Sequence, residues 1–172
     1  MRKMYLTTPL QMEDIKRLKV GEIIYLSGRV CTARDKAHER ALKLNSFPVT
    51  DVLFHSGPLV RKMGGGWEMV SIGPTTSSRM NSVEPEFIER FGLKAVIGKG
   101  GMDGEVVEAM RGKAVYLAMT GGCAAITASQ IKKIVDVLWL DLGVPEAVWV
   151  LDVDKLGPLV VAIDCNGNSI YK

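Results

Sequence analysis

Ser71-Ile72-Gly73-Pro74-Thr75-Thr76-Ser77-Ser78-Arg79-Met80 ends an apolar run, Trp67 to Ile72, with Gly-Pro and then presents two threonines, two serines and an arginine. Gly-Pro is where a strand stops, because proline has no amide hydrogen to give to a ladder. A planar guanidinium with five donors, set beside hydroxyls, holds a carboxylate or phosphate in one orientation. A polar turn or helix cap would account for the hydroxyls, but a cap has no use for Arg79. Thr75 and Arg79 are four residues apart, one helical turn, so a helix starting here would turn both toward one ligand. Gly73 allows close approach of the backbone.

Two further segments have the same character. In Thr32-Ala33-Arg34-Asp35-Lys36-Ala37-His38, Arg34 lies between a strand and a helix. An anion there would meet both the guanidinium and the free amides of the helix start. The plain alternative pairs Arg34 with Asp35 or another surface acid. His38, one turn on, either orients one of these residues or touches the ligand, or is simply a satisfied, partly buried histidine. His55, beside Gly57-Pro58, reads as structural. In Ile97-Gly98-Lys99-Gly100, small neighbours let an anion reach the Lys99 ammonium and the backbone together. The three segments describe a site for a small anion with more than one negative group.

What accompanies them is thin. The GxxxxGK[ST] spacing of a nucleotide-phosphate loop is absent, as is GxSxG, and apart from Asp35 and Asp103 the segments carry no acids for paired-carboxylate hydrolysis. A threonine hydroxyl loses its proton only far above neutral pH, so Thr75 can move a proton only where Arg79, Lys99 and a metal or cluster stabilise the alkoxide. The segments therefore look like half of an active site.

The 172 residues fit one domain, 1–172, and an apolar fraction of 47% with 24% charged residues argues against disorder. The net charge of +3 is spread among acids, and with only 6% aromatic residues a nucleic-acid surface is not expected. Cys31, Cys123 and Cys165 match no metal-ligand spacing and no small secreted disulfide framework, so free thiols in a reducing cytosol are expected. The start MRKMYLTTPL lacks an apolar signal core, and the longest apolar runs are too short to cross a bilayer. A cytoplasmic location follows as an expectation, with no metal and no cofactor bound by this chain.

Periodicity predicts strands at 5–10, 22–30, 49–54, 67–72, 93–97, 114–119, 134–140, 147–153 and 159–164. Helices are predicted at 12–18, at 35–44 with Asp35 as its cap, and at 104–110, with about ten more helical residues after Gly121-Gly122. A further helix at 85–91 has Pro85 in its first turn and Gly92 just beyond its end. Asn166-Gly167 marks a hairpin turn. Strands alternating with helices, then a strand-rich end, give a mixed α/β domain.

The chain resembles the β-type domain of the class I fumarases and tartrate dehydratases, iron–sulfur hydro-lyases. The resemblance rests on LTTPL at 6–10, GEIIYLSG at 21–28, ARDxAH at 33–38, SIGPTTSSRM at 71–80 and IGKG at 97–100, and extends into 147–168. It implies a swivelling β/β/α fold and a larger α subunit whose three cysteines hold a [4Fe–4S] cluster, in a heterodimer or higher αβ assembly. It further implies that Arg34, Arg79 and Lys99 clamp a C4 dicarboxylate, that Thr75 is the catalytic base and that Thr76 lines the pocket, with His38 in a supporting place among the substrate-binding residues. The implied reaction interconverts (S)-malate and fumarate plus water. Dehydration of L(+)-tartrate to oxaloacetate is the close alternative, and a non-catalytic anion-binding module is the distant one. Asn81 stands where the family commonly has aspartate, and its lost charge is expected to bear on Arg79; Cys31 replaces another small residue.

Overall fold

The computed structural model describes residues 1–171. Its strands and helices run in the order β1 (Lys3–Thr7), α1 (Met12–Arg17), β2 (Ile23–Thr32), α2 (Asp35–Leu44), β3 (Val52–Phe54), β4 (Leu59–Met63) and β5 (Gly66–Ser71). They continue with α3 (Glu84–Phe91), β6 (Ala95–Gly98), α4 (Gly104–Met110), β7 (Val115–Ala118), α5 (Ala124–Ser129), β8 (Ile131–Leu138) and β9 (Val148–Ile163). Short 3-10 turns lie at Ser77–Met80 and Leu140–Leu142.

Strands β2, β3, β6 and β7 are parallel neighbours, and β9 runs antiparallel to both β7 and β2. The sheet thereby closes on itself, with β1 added to β2 and β8 to β9. Alternation along the short strands explains how one sheet supports two cores. Val52, Phe54, Ala95, Ile97, Val115 and Leu117 point into the closed sheet. Leu53, Val96 and Tyr116, between them in sequence, point outward beneath Ala37 and Ala41 of α2, Phe87 and Ile88 of α3, and Val106 and Met110 of α4. Buried on both sides, these strands read as unbroken apolar runs. Each fully buried large side chain contributes about 1.5–3 kcal/mol to holding them.

The mixed α/β class expected from the sequence is the one observed. Three elements differ from expectation. Residues 148–163 form one strand, not two, because β2 lies along it on both sides of the polar break. The break is absorbed as register shifts and positive φ at Lys155 (51°) and Gly157 (153°). A side chain at Gly157 would sit 2.8 Å from the Ile24 carbonyl oxygen. Residues 59–63 join 66–71 in a hairpin that polar content had hidden; alternate residues of the second strand, but only Val60 of the first, are even partly covered. Trp67 anchors it, edge-on to Trp149 at 5.5 Å. The helix after Gly121-Gly122 is six residues long, because the chain turns into β8 at Ile131. Among the described residues no helix is long and apolar enough to cross a membrane.

The carboxyl ends of β2, β3, β6 and β7 all open on one side of the parallel sheet, where ligand sites of such sheets form. Arg34 follows β2, His55 follows β3, Lys99 follows β6 and Gly121 follows β7.

Candidate active site

Residues 74–80 cross the open end of these strands and are stitched to them through the backbone. The Thr75 amide donates to the His55 carbonyl at 2.7 Å, the Lys99 amide to the Thr75 carbonyl at 3.3 Å, and the Ser77 amide to the Lys99 carbonyl at 3.0 Å. Thr76 and Lys99 form a parallel bridge. Gly98 is what permits so close a crossing: a Cβ there would lie 1.8 Å from Ser77 Oγ. The sequence thus puts a glycine in a strand where another backbone must pass.

Arg79 reaches back to the first turn of α2, its Nη2 donating to Asp35 Oδ2 at 2.5 Å. Asp35 is therefore not the cap: Arg34, extended at φ −117°, occupies that position, and the Asp35 carboxylate holds Arg79. The Arg34 Nε lies 3.4 Å from Glu146 Oε1 and, though buried, makes no hydrogen bond. Its stem runs past Gly57, where a Cβ would come within 2.9 Å of Arg34 Cδ and Nη1. Lys99 is exposed and passes Gly121, with Nζ 3.9 Å from the position of a Cβ there. Among the described residues it has no carboxylate within ion-pair distance, whereas both arginines do. The structure thus brings Arg34, Arg79 and Lys99 to contiguous loops at one end of the sheet. Thr75, half-buried, and Thr76, exposed, lie on the segment that connects them, and neither hydroxyl has a hydrogen-bond partner among the described residues.

His38 does not line this surface. It is fully buried, with Nδ1 2.7 Å from the Arg34 carbonyl oxygen and Nε2 3.0 Å from Glu84 Oε2. A ring with both nitrogens engaged and no exposed surface cannot touch a substrate, so the expected substrate contact is corrected to a contact with Arg34. His55 is equally buried and places Nε2 2.8 Å from the same Glu84 oxygen and Nδ1 2.8 Å from Ser77 Oγ. Ser77 Oγ in turn meets the Tyr116 hydroxyl at 3.0 Å, and that hydroxyl donates to the Gly100 carbonyl at 2.9 Å. Burial raises the Glu84 carboxyl, but the charges and hydrogen bonds of His55 and His38 outweigh it and hold it below the ordinary range. Burial likewise lowers His38, yet Glu84, the Arg34 carbonyl and Asp35 leave it above the usual imidazole value. Burial pushes the Tyr116 phenol up.

Glu84, Ser77 in this role, Glu146 and Gly57 were not singled out in the sequence. An acid before Pro85 reads as an ordinary first-turn residue of α3, and nothing local tells that it faces inward. Asn81 does not orient Arg79; its Oδ1 accepts the Asp103 amide at 3.2 Å, beside the cap of α4. The cysteines do not converge. Cys165 lies in the inner core, Cys31 in the helix-side core and Cys123 ahead of α5. Among the described residues the one group with metal-ligand proximity is His38, His55 and Glu84, so the thiols of this chain do not fit an iron–sulfur cluster.

The model of the family described as Fumarase C-terminus matches residues 1–172. The chain belongs to that family. It is 48% identical to a putative L(+)-tartrate dehydratase subunit beta of Methanocaldococcus jannaschii, across 98% of this chain and 91% of that protein. It is 47% identical to the L(+)-tartrate dehydratase subunit beta of Escherichia coli K12, across 98% of this chain and 86% of that one. A putative class I fumarate hydratase of Geobacillus stearothermophilus is 35% identical across 99% of this chain, which spans 34% of that longer protein. Within the family, this chain is similar to separate β subunits and also to one segment of a single longer enzyme.

Proposed function

We propose that this chain is the β subunit of a hydro-lyase that interconverts (S)-malate with fumarate and water, and that it supplies the cationic wall and the base of a site completed by an α partner. The observation that carries this reading is the meeting of Arg34, Arg79 and Lys99 around a segment whose Thr75 hydroxyl is unengaged. Two carboxylates on one C4 acid match separated cations, and the planar arginine forks fix its orientation. Lys99, free of an acid, is a ready-made partner for one carboxylate. For the arginines to bind, the substrate carboxylate must share the N–H donors of Arg79 with Asp35 and those of Arg34 with Glu146.

Thr75 takes the C3 proton. Its alkoxide is stabilised by the Lys99 ammonium and the Arg79 guanidinium, and the backbone bonds of Thr75 to His55 and Lys99 hold the hydroxyl in place. Thr76, next to it and exposed, borders the same pocket. An iron–sulfur group, carried by the partner and not by these cysteines, would supply Lewis acidity toward the leaving hydroxyl. L(+)-tartrate is the second reading, favoured by the 47–48% identity to tartrate dehydratase β subunits against 35% to the fumarate hydratase. A site built to bond the extra hydroxyl rejects the acid lacking it, so the two readings separate cleanly. The test is anaerobic co-expression with the α partner and turnover of malate and tartrate, with Thr75→Ala alongside. Loss of turnover with assembly intact is expected; a full rate in Thr75→Ala would remove the base.

A further inference from the structure

Beneath the cations runs a buried line of hydrogen bonds that begins and ends on backbone carbonyls. It leads from Arg34 O to His38, Glu84 Oε2, His55, Ser77 and Tyr116, and finishes at Gly100 O, with contacts of 2.7, 3.0, 2.8, 2.8, 3.0 and 2.9 Å in order. All five side chains are fully buried. The two ends and the middle coincide with the three anion-binding segments: Arg34 caps α2, Ser77 lies between Thr75 and Arg79, and Gly100 follows Lys99.

Counting donors and acceptors around His38 fixes its state. His38 faces a carbonyl on one side and the Glu84 carboxylate on the other. Both are acceptors, so both its nitrogens carry hydrogen and the ring is an imidazolium. His55 Nε2 donates to the same Glu84 oxygen, and the Ser77 and Tyr116 hydroxyls carry the line on to Gly100 O. The spacing is that of donors around an acceptor. Two histidine nitrogens meet one oxygen at 2.8 and 3.0 Å, closer than the roughly 3.3 Å between ligands of a tetrahedral ion with bonds of about 2.0–2.1 Å. The charged and titratable groups facing His38 are Glu84 from α3, Asp35 from its own helix and His55 beyond β3; the Phe87 ring covers it at 4.5 Å.

We propose that Glu84, His38, His55 and Ser77 are positioning residues of the hydro-lyase site, an ion pair and its hydrogen-bonded line that set the spacing between the Arg34, Thr75–Arg79 and Lys99 loops. This rests on the reading of those loops as the substrate-binding wall. The line touches no substrate. It acts by fixing the Arg34 carbonyl at the helix cap, the middle of the 75–80 crossing at Ser77 and the Gly100 carbonyl beyond Lys99, so a cut anywhere along it loosens one cation relative to the others.

The test has two arms. In the full chain labelled with 15N-histidine, NMR at pH 8 should show His38 with both ring nitrogens protonated, and Glu84→Gln should return it to the neutral form. A neutral His38 in the wild type at that pH, or a stoichiometric metal on this chain by elemental analysis, overturns the proposal. In the complex with the α partner, Glu84→Gln and Ser77→Ala should each lower kcat/KM by about 10–100-fold, the scale of ångström misplacement. Ser77→Ala should leave His38 protonated, separating the coupling from the ion pair. Should Glu84→Gln not fold, Ser77→Ala decides, and kcat/KM within about twofold of wild type overturns the coupling. A wild-type complex inert on malate and tartrate would sink the functional reading while the NMR outcome still judges the line.

Discussion

Gly98→Ala puts the smallest possible addition at the point where the candidate active-site segment, residues 74–80, crosses the sheet. Gly98 is the last residue of β6 and does not have positive φ, so alanine brings no backbone strain and the whole cost is steric. The new methyl would lie 1.8 Å from Ser77 Oγ and 3.2 Å from His55 Nδ1, where ordinary contact begins at 3.4 Å, so Ser77 or the strand must move by about 1.6 Å. Overpacking of this kind costs about 1–3 kcal/mol. The two hydrogen bonds of Ser77 add about 0.5–1.5 kcal/mol each when broken. A total of about 2–6 kcal/mol lowers Tm by roughly 4–24 °C in a domain of this size. The same displacement separates Lys99 from Thr75 and should cost about 100-fold or more in kcat/KM. Calorimetry of the chain and turnover of the αβ complex read the two effects. Gly65→Ala is the control, since nothing lies within 4 Å of that position. A Gly98→Ala protein that melts within about 2 °C of wild type and keeps a third of its turnover would refute the crossing geometry.

Stability should pass through a maximum in mildly acidic solution. The depressed Glu84 carboxyl contributes stability that is present above its unfolded value, about 4.3, and is lost as pH falls toward its folded one. The raised His38 contributes stability that is complete below about 6.5 and is lost as pH climbs through its higher folded value. Urea midpoints at acid, mildly acidic and alkaline pH should show both limbs in wild type and a flatter profile in Glu84→Gln; an unchanged profile in that variant counts against the ion pair. A thiol reagent on the native protein should react quickly at one cysteine, Cys123, which is only partly buried. Cys31 resists because burial pushes its thiol up to about 11, and Cys165 is buried too. A fast equivalent that survives Cys123→Ser would contradict this placement.

The parts of the fold legible in the sequence are those where one local rule decides. Pro85 inside and Gly92 beyond α3 bracket it as read, with Gly92 at φ 64°. Val52–Phe54 and Ala95–Gly98 announce strands because both their faces are buried. Where a partner distant in sequence decides, the local signal fails. Residues 154–158 carry the marks of a turn and still continue a strand, since β2 spans the gap. The placement of Arg34 and Lys99 was legible because each follows closely on a predicted strand. Their support was not, since a histidine or a glutamate looks alike in sequence whether it faces water or the core. Glu84 shows the limit most sharply: its neighbours predict an exposed first-turn acid, whereas it is fully buried between two histidines from different elements. Burying an acid is tolerable only where donors are already in place. The feature that makes Glu84 invisible to periodicity is therefore the one that makes it informative in the structure. A carboxylate kept in the core at the junction of the Arg34, Thr75–Arg79 and Lys99 loops is more than packing requires, and its second oxygen, buried without a hydrogen-bond partner, carries a desolvation cost that only the donors on the first oxygen offset.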